Sequence, residues 1–143
     1  MTGEQFLNRI SQLDYDLRAL ESEIARNRED LYRLQAVDIS KDRVDGGTPL
    51  DIADRIGPLV EKEAVLNLKW DNYLNLREEA RGYLKELGNA KYRVVLMEYY
   101  LDSRPGEVIA GHIGTSPRNL WRVKRNALQA FERHMRARHP GVL

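Results

Sequence analysis

Residues 106–125, GEVIAGHIGTSPRNLWRVKR, decide the fold. Ala110 stands where two helices would cross, and Gly114 where a sharp turn needs a positive φ. Ile109, Ile113, Leu120 and Val123 are spaced to fill the angle between those helices with apolar side chains. Ser116 then supplies an N-cap and Pro117 the first helical position of a second helix, which carries Arg118, Arg122, Lys124 and Arg125 within its first three turns. An ordinary corner between two helices also uses a glycine, but a capped helix start with cations aimed outward is what entry into a major groove requires. The pattern and the charge together read as a helix-turn-helix that binds DNA.

The charge of the whole chain supports a division of labour. Its net value of +1 hides 13 Lys or Arg against 18 Asp or Glu in residues 1–87, and 10 against 4 in residues 88–143. Seven of those ten (Arg118, Arg122, Lys124, Arg125, Arg133, Arg136 and Arg138) lie in the last helix and its tail, opposed there only by Glu132. Such a basic part is the electrostatic footprint of polyanion binding, whereas an acidic part is repelled by DNA. The absence of cysteine fits a reducing compartment and excludes a disulfide framework or a thiolate zinc finger. No apolar run approaches the roughly 18 residues of a membrane span, and the start MTGEQFLNRISQLDYD lacks the basic and apolar segments of a signal peptide. The expectation is a cytoplasmic protein with no membrane contact.

Residues 1–87 read as two long helices. Phe6, Ile10, Leu13, Leu17, Leu20, Ile24, Asn27, Leu31 and Leu34 alternate spacings of four and three, a heptad seam with one polar break. Residues 36–47, AVDISKDRVDGG, lose the pattern and end in two glycines, so a loop is expected there, with Thr48, Pro49 and Asp51 as the next helix start. The second seam runs Ile52, Ile56, Leu59, Glu63, Leu66, Trp70, Tyr73, Arg77, Ala80, Leu84 and Leu87, with Trp70 and Tyr73 as large core residues. Pro58 lacks an amide hydrogen, so the helix is either kinked there or starts there. The two seams bury against each other as an antiparallel hairpin or against a second chain. In a hairpin, pairing Asn27 with Glu63 puts both polar breaks in one layer and sets Leu31 against Leu59, Ile24 against Leu66, Leu20 against Trp70, Leu17 against Tyr73 and Ile10 against Ala80.

Beyond Leu87, Gly88 ends the second helix and Asn89 caps a compact third helix built on Tyr92, Val95, Leu96, Tyr99 and Tyr100. The last helix keeps an apolar face of Leu120, Val123, Ala127, Leu128, Phe131 and Met135, opposite Arg118, Trp121, Arg122, Arg125, Gln129 and Arg133. The chain is therefore expected to be all-α, with about five helices and no strand. A boundary near residue 87 separates a coiled-coil hairpin (1–87), for oligomerisation or partner contact, from a small DNA-binding domain (88–143).

The segments YRVVLMEYYL, PGEVIAGHI, GTS and PRNLWRVKRNALQAFERH, with their arginine-rich helix start and leucine-phenylalanine spine, resemble the fourth region of sigma-70-type transcription factors, which reads the −35 promoter element. With its coiled-coil start, the whole chain looks like small phage and prophage regulators of the RinA-like and ArpU-like kind. The first helix of the motif, Glu107-Val108-Ile109-Ala110, only partly matches the acidic or leucine-rich start of that region. The resemblance implies a regulator of transcription that touches double-stranded DNA and, as a further partner, host RNA polymerase. Neither a core-polymerase-binding region nor a −10 reader is present, so promoter opening unaided is not expected.

Catalytic chemistry finds no support. His134 and His139 stand five apart on what reads as one helix, a spacing that places them on different faces, so neither these nor His112 are expected to ligate a metal. Gly46-Gly47 is too short to cradle a nucleotide, and the carboxylate pairs Asp14/Asp16 and Glu78/Glu79 read as solvated helix faces. No enzyme activity, cofactor or metal is expected. The expected DNA-binding residues are Ser116, Arg118, Asn119, Trp121, Arg122, Lys124, Arg125 and Arg133, in a homodimer whose seams before Leu87 join two copies and whose fragment 88–143 would be monomeric. Trp121 either stacks at the groove or packs against a neighbouring element. Two other readings stay open: an assembly or packaging adaptor such as a phage terminase small subunit, and a polymerase-binding sigma-like regulator.

Overall fold

The computed structural model of the chain describes residues 1–40 and 48–143, and the side chains of residues 1–37 and 53–143. The glycines expected to turn the chain at 46 and 47, and the side-chain cap expected of Thr48, lie outside them. The described residues are all-helical: α1 Gly3–Ser40, α2 Thr48–Lys85, α3 Ala90–Leu96 continued by a wide π-helical turn over Met97–Leu101, α4 Gly106–Ile113 and α5 Pro117–Arg138.

Local chemistry fixes the helix ends. Thr2 and Gln5 form a reciprocal capping box at the start of α1: the Gln5 amide donates to Thr2 Oγ1 at 3.1 Å and the Thr2 amide to Gln5 Oε1 at 2.8 Å. α1 runs through Ser40, past Ala36 where the sequence pattern lapses, because residues 36–40 contain neither glycine nor proline to stop it. Pro58 does not start α2 but sits inside it. The bond it cannot donate is one among many in a 38-residue helix. Asn89 Oδ1 accepts from the Tyr92 amide at 3.2 Å and so caps α3, as expected.

The chain divides into two compact units, residues 1–14 with 73–143, and residues 15–72. The division does not fall at residue 87. The first turns of α1 and the last turns of α2 belong with α3, α4 and α5. In that unit Phe6 lies between Tyr83 and Phe131, with ring centroids 6.3 and 6.4 Å away. A Cβ on Gly3 would come within 3.0 Å of Phe131 Cδ1 and 3.3 Å of Glu132 Cα, so the absence of a side chain lets α1 seat against α5. Leu7, Ile10, Ala80, Leu84, Leu96, Phe131 and Met135 are fully enclosed. Asp102, just past the π-helical turn, receives Arg77 Nη2 at 2.8 Å and lies 3.7 Å from Arg81, which ties α2 to α3. A fragment of residues 88–143 would therefore lose Phe6, Leu7, Ile10 and the end of α2 from its core.

The seam of α1 is rotated from the expected one. Leu7 and Asp14 are buried together with Phe6, Ile10, Leu17 and Ile24, while Leu13 and Leu20 are only half-buried. Asp14 is thus a buried carboxylate, not part of a solvated face with Asp16.

In the unit of residues 15–72, Lys62 Nζ donates to Glu23 Oε1 at 2.9 Å, and Arg28 Nε donates to Glu63 Oε1 at 2.7 Å. Asn27 and Asp30 share a cleft of about 220 Å³ with Asp54, Arg55, Pro58 and Leu59. The polar layer of Asn27 and Glu63 does not form. Glu63 turns to the guanidinium of Arg28, a flanking position where a carboxylate keeps its hydration, and Asn27 lies instead with Pro58 and Leu59.

Candidate nucleic-acid interface

The turn between α4 and α5 is built by backbone geometry. Gly114 has φ 69° and ψ 38°, the left-handed conformation that costs an L side chain about 1–2 kcal/mol. The Thr115 amide donates back to Ala110 O at 3.0 Å and the Gly114 amide to Gly111 O at 3.3 Å, the pair of bonds that closes a Schellman end. Two residues later the α5 helix opens with Ser116, whose Oγ accepts from the Asn119 amide at 3.1 Å, and Pro117 follows in the first turn. Ile109, Ala110, Ile113 and Leu120 are buried in one cluster with Val95 of α3, and Val123 and Tyr99 pack on its edge. Gly106 contributes a close approach: a Cβ there would touch Leu120 Cδ2 at 3.4 Å. The cluster fixes the angle at which α5 leaves the turn.

α5 presents one basic face. Arg118, Arg122, Arg125, Gln129 and Arg133 recur at spacings of four and three, and all are exposed. Among the described residues no carboxylate forms an ion pair with Arg118, Arg122, Arg125 or Arg133, whereas Arg136 is taken by Glu132 at 3.2 Å. Arg125 also borders a shallow cleft with Thr2, Glu4 and Glu132. Redirecting these guanidiniums toward an anion breaks no ion pair.

The remaining expected residues are placed less uniformly. Ser116 is exposed, and its hydroxyl oxygen is engaged in the cap. Asn119 is half-buried and its amide nitrogen donates to Thr115 Oγ1 at 2.7 Å, so only part of its hydrogen-bonding capacity faces outward. Trp121 is 51% exposed and also meets Tyr99 edge-on at 6.1 Å, so it packs against a neighbouring element and leaves about half of its surface open. Lys124 departs from the outward placement. Its ammonium lies 3.8 Å from the Tyr99 ring centre and 5.3 Å from those of Tyr100 and Trp121. Lys124 follows Leu120 by four residues and precedes Phe131 by seven, which sets it on the flank of the buried stripe, and the aromatic faces hold its charge.

Each of the three histidines meets a carboxylate. His112 Nδ1 lies 2.7 Å from Glu98 Oε1, which also accepts from Arg104 at 3.1 Å, so the last turn of α4 and the segment before α4 both hold to the π-helical turn. His134 and His139 converge on Glu86 despite their five-residue spacing, because α5 ends at Arg138 and His139 leaves the helical path with φ −135° and ψ 57°. No protein-family model, curated protein or solved structure matches the chain.

Proposed function

We propose that the chain is a sequence-specific regulator of transcription of the small phage or prophage type, with α4 and α5 acting as a sigma-70 region-4-like helix-turn-helix on double-stranded DNA. The observation that carries this reading is the row of unpaired, exposed arginines, Arg118, Arg122, Arg125 and Arg133, on a helix whose start is capped and set by a left-handed turn. The N-terminal turns of α5 enter the major groove, Arg118 and Arg122 reach base edges, and Arg125 and Arg133 meet phosphates. Trp121, half-exposed beside Arg122, offers an apolar surface to a thymine methyl or a sugar.

One such helix reads few base pairs, so specificity comes from two copies on half-sites about 34–36 Å apart. The unit of residues 15–72 supplies the dimer surface. Tyr32, Ile56, Val60, Val65 and Leu68 stand exposed on it, more apolar surface than a solvated helix pair needs.

Selection of bound sequences from random DNA, followed by titration of the selected site at fixed salt, tests the reading. Arg122→Ala weakens binding of that site by about 1–3 kcal/mol, the range of a bidentate contact to guanine. Recovery of no enriched sequence, or an Arg122→Ala chain that binds the enriched one as tightly as the parent, overturns it. A full-length chain that sediments as a monomer at micromolar concentration removes the dimer.

A further inference from the structure

A second cluster of chemically competent side chains lies away from the basic face of α5, where the chain leaves α2 and where α5 ends. Glu86 Oε2 lies 2.6 Å from His134 Nε2 and 2.8 Å from His139 Nε2, and the three donor atoms are all within 4.8 Å of one another. They open onto a cavity of about 650 Å³ that Arg138 also lines.

The convergence is built. The His139 amide still bonds to Met135 O at 2.7 Å, but Pro140 disfavours a helical conformation for the residue before it, so the chain turns off the helix axis at His139. Its ring rests on Tyr83 with centroids 4.7 Å apart, and the Val142 amide closes the tail back onto His139 O at 3.1 Å. The ring that a straight helix would place well away from His134 is brought to 6.0 Å from it. Both imidazoles turn the same nitrogen, Nε2, toward one carboxylate oxygen of Glu86.

Two imidazoles and one carboxylate are a transition-metal donor set, borderline in softness and short of the all-oxygen set that calcium or magnesium prefers. We propose that Glu86, His134 and His139 bind one divalent transition-metal ion, zinc by ligand chemistry, with a fourth position left open to water or an anion beside Arg138. The ion takes the place of the direct contacts between Glu86 and the two rings. Zinc bonds of about 2.0–2.2 Å at tetrahedral angles need donor atoms about 3.3 Å apart. The required separation from the present 2.6–2.8 Å is within the reach of these partly exposed side chains. Because the ligands come from the two sides of this junction, the ion would staple the end of α2 to the end of α5. The inference is independent of DNA binding.

The test is calorimetric titration of the full-length, metal-stripped chain with zinc chloride, alongside Glu86→Gln, His139→Gln and, as a control elsewhere on the surface, His112→Gln. The expected result is one zinc per chain with micromolar or tighter affinity, and a loss of at least about 10-fold in Glu86→Gln and in His139→Gln, since even outer-shell changes cost that much. His112→Gln should bind as the parent does. Zinc should raise the thermal midpoint of the parent and leave that of Glu86→Gln unmoved, and cobalt substitution should give the intense visible bands of a four-coordinate site. Absence of binding means that the histidines only clamp a carboxylate and overturns the proposal. So does binding that survives both substitutions, or one zinc shared between two chains.

Discussion

Lys124 separates two uses of a cation on one helix, and the magnitudes say which applies. Its ammonium sits 3.8 Å over Tyr99 and its stem is half-buried, so truncation removes a cation–π contact worth about 0.5–2 kcal/mol and some apolar burial besides. Lys124→Ala should destabilise the fold by about 1–2 kcal/mol, whereas Arg133→Ala, fully outside the core, should stay within about 0.5 kcal/mol of the parent. Lys124→Met keeps most of the apolar stem and isolates the cation–π share. The binding arm runs the other way. Each phosphate contact contributes about 0.9 to the slope of log affinity against log salt, so Arg133→Ala should flatten that slope by about this amount and Lys124→Ala should leave it unchanged. Urea unfolding with unchanged m-values reads the first quantity, and salt-controlled titration of a selected DNA site the second. A Lys124→Ala chain as stable as the parent but with a flattened salt slope would refute the reasoning.

Three further outcomes follow from the fold. Gly114→Ala should cost about 1–2 kcal/mol in urea unfolding purely through its left-handed φ, since a Cβ there meets nothing within 4 Å. Gly114→Asn should recover much of that loss, and equal losses in the two variants would point to a steric cause instead. Tyr100 carries a buried hydroxyl with no partner among the described residues, and its burial drives the phenol's pKa upward, so Tyr100→Phe should be neutral or stabilising by up to about 1–3 kcal/mol; a clear loss of stability would reveal a missed partner. The Lys62 ammonium holds Glu23 below the usual glutamate range, which adds stability present above that range and lost as pH falls through the lowered value. Lys62→Met should return the Glu23 titration, followed by carboxyl NMR, to an ordinary position, and an unmoved titration would show that the pair does not hold in solution.

Local signals carried the reading of residues 106–125. A positive-φ glycine, a serine cap followed by proline and an apolar spacing are each satisfied within a few residues of chain, and Gly114, Ser116 and the Ile109–Leu120 cluster sit where those signals place them. What escaped depends on partners distant in sequence or on where a helix stops. Lys124 could have been recognised from its four-residue step after Leu120, but its positive charge suggested solvent, and two of the three rings that receive it, Tyr99 and Tyr100, lie on the π-helical turn, far from it in sequence. His139 was judged by helical spacing that ends one residue too early to apply. The heptad seam of α1 offered two nearly equivalent stripes, through Leu13 or through Leu7 and Asp14, and apolar character favours the first; the packing chooses the second. The Asn27 and Glu63 layer failed for a related reason, since a pattern of polar and apolar letters does not record that Arg28 flanks the seam.

The seat of α1 against α5 has a kinetic consequence. Helical proteins usually fold through contacts close in sequence, but Gly3 and Phe6 wait for Phe131 and Glu132, which are made more than a hundred residues after them on the ribosome. Until then the apolar tip of Phe6, Leu7 and Ile10 lacks the α5 side of its cover. Closing a loop of that span from an unstructured chain costs about 4 kcal/mol in entropy by the logarithmic scaling, but the contacts of Glu23 with Lys62 and of Arg28 with Glu63 shorten the loop that remains to be closed. Early formation of those contacts then governs how long the tip stays exposed, so substitutions around Glu23, Arg28, Lys62 and Glu63, with little effect on equilibrium stability, become determinants of folding rate and of aggregation during synthesis.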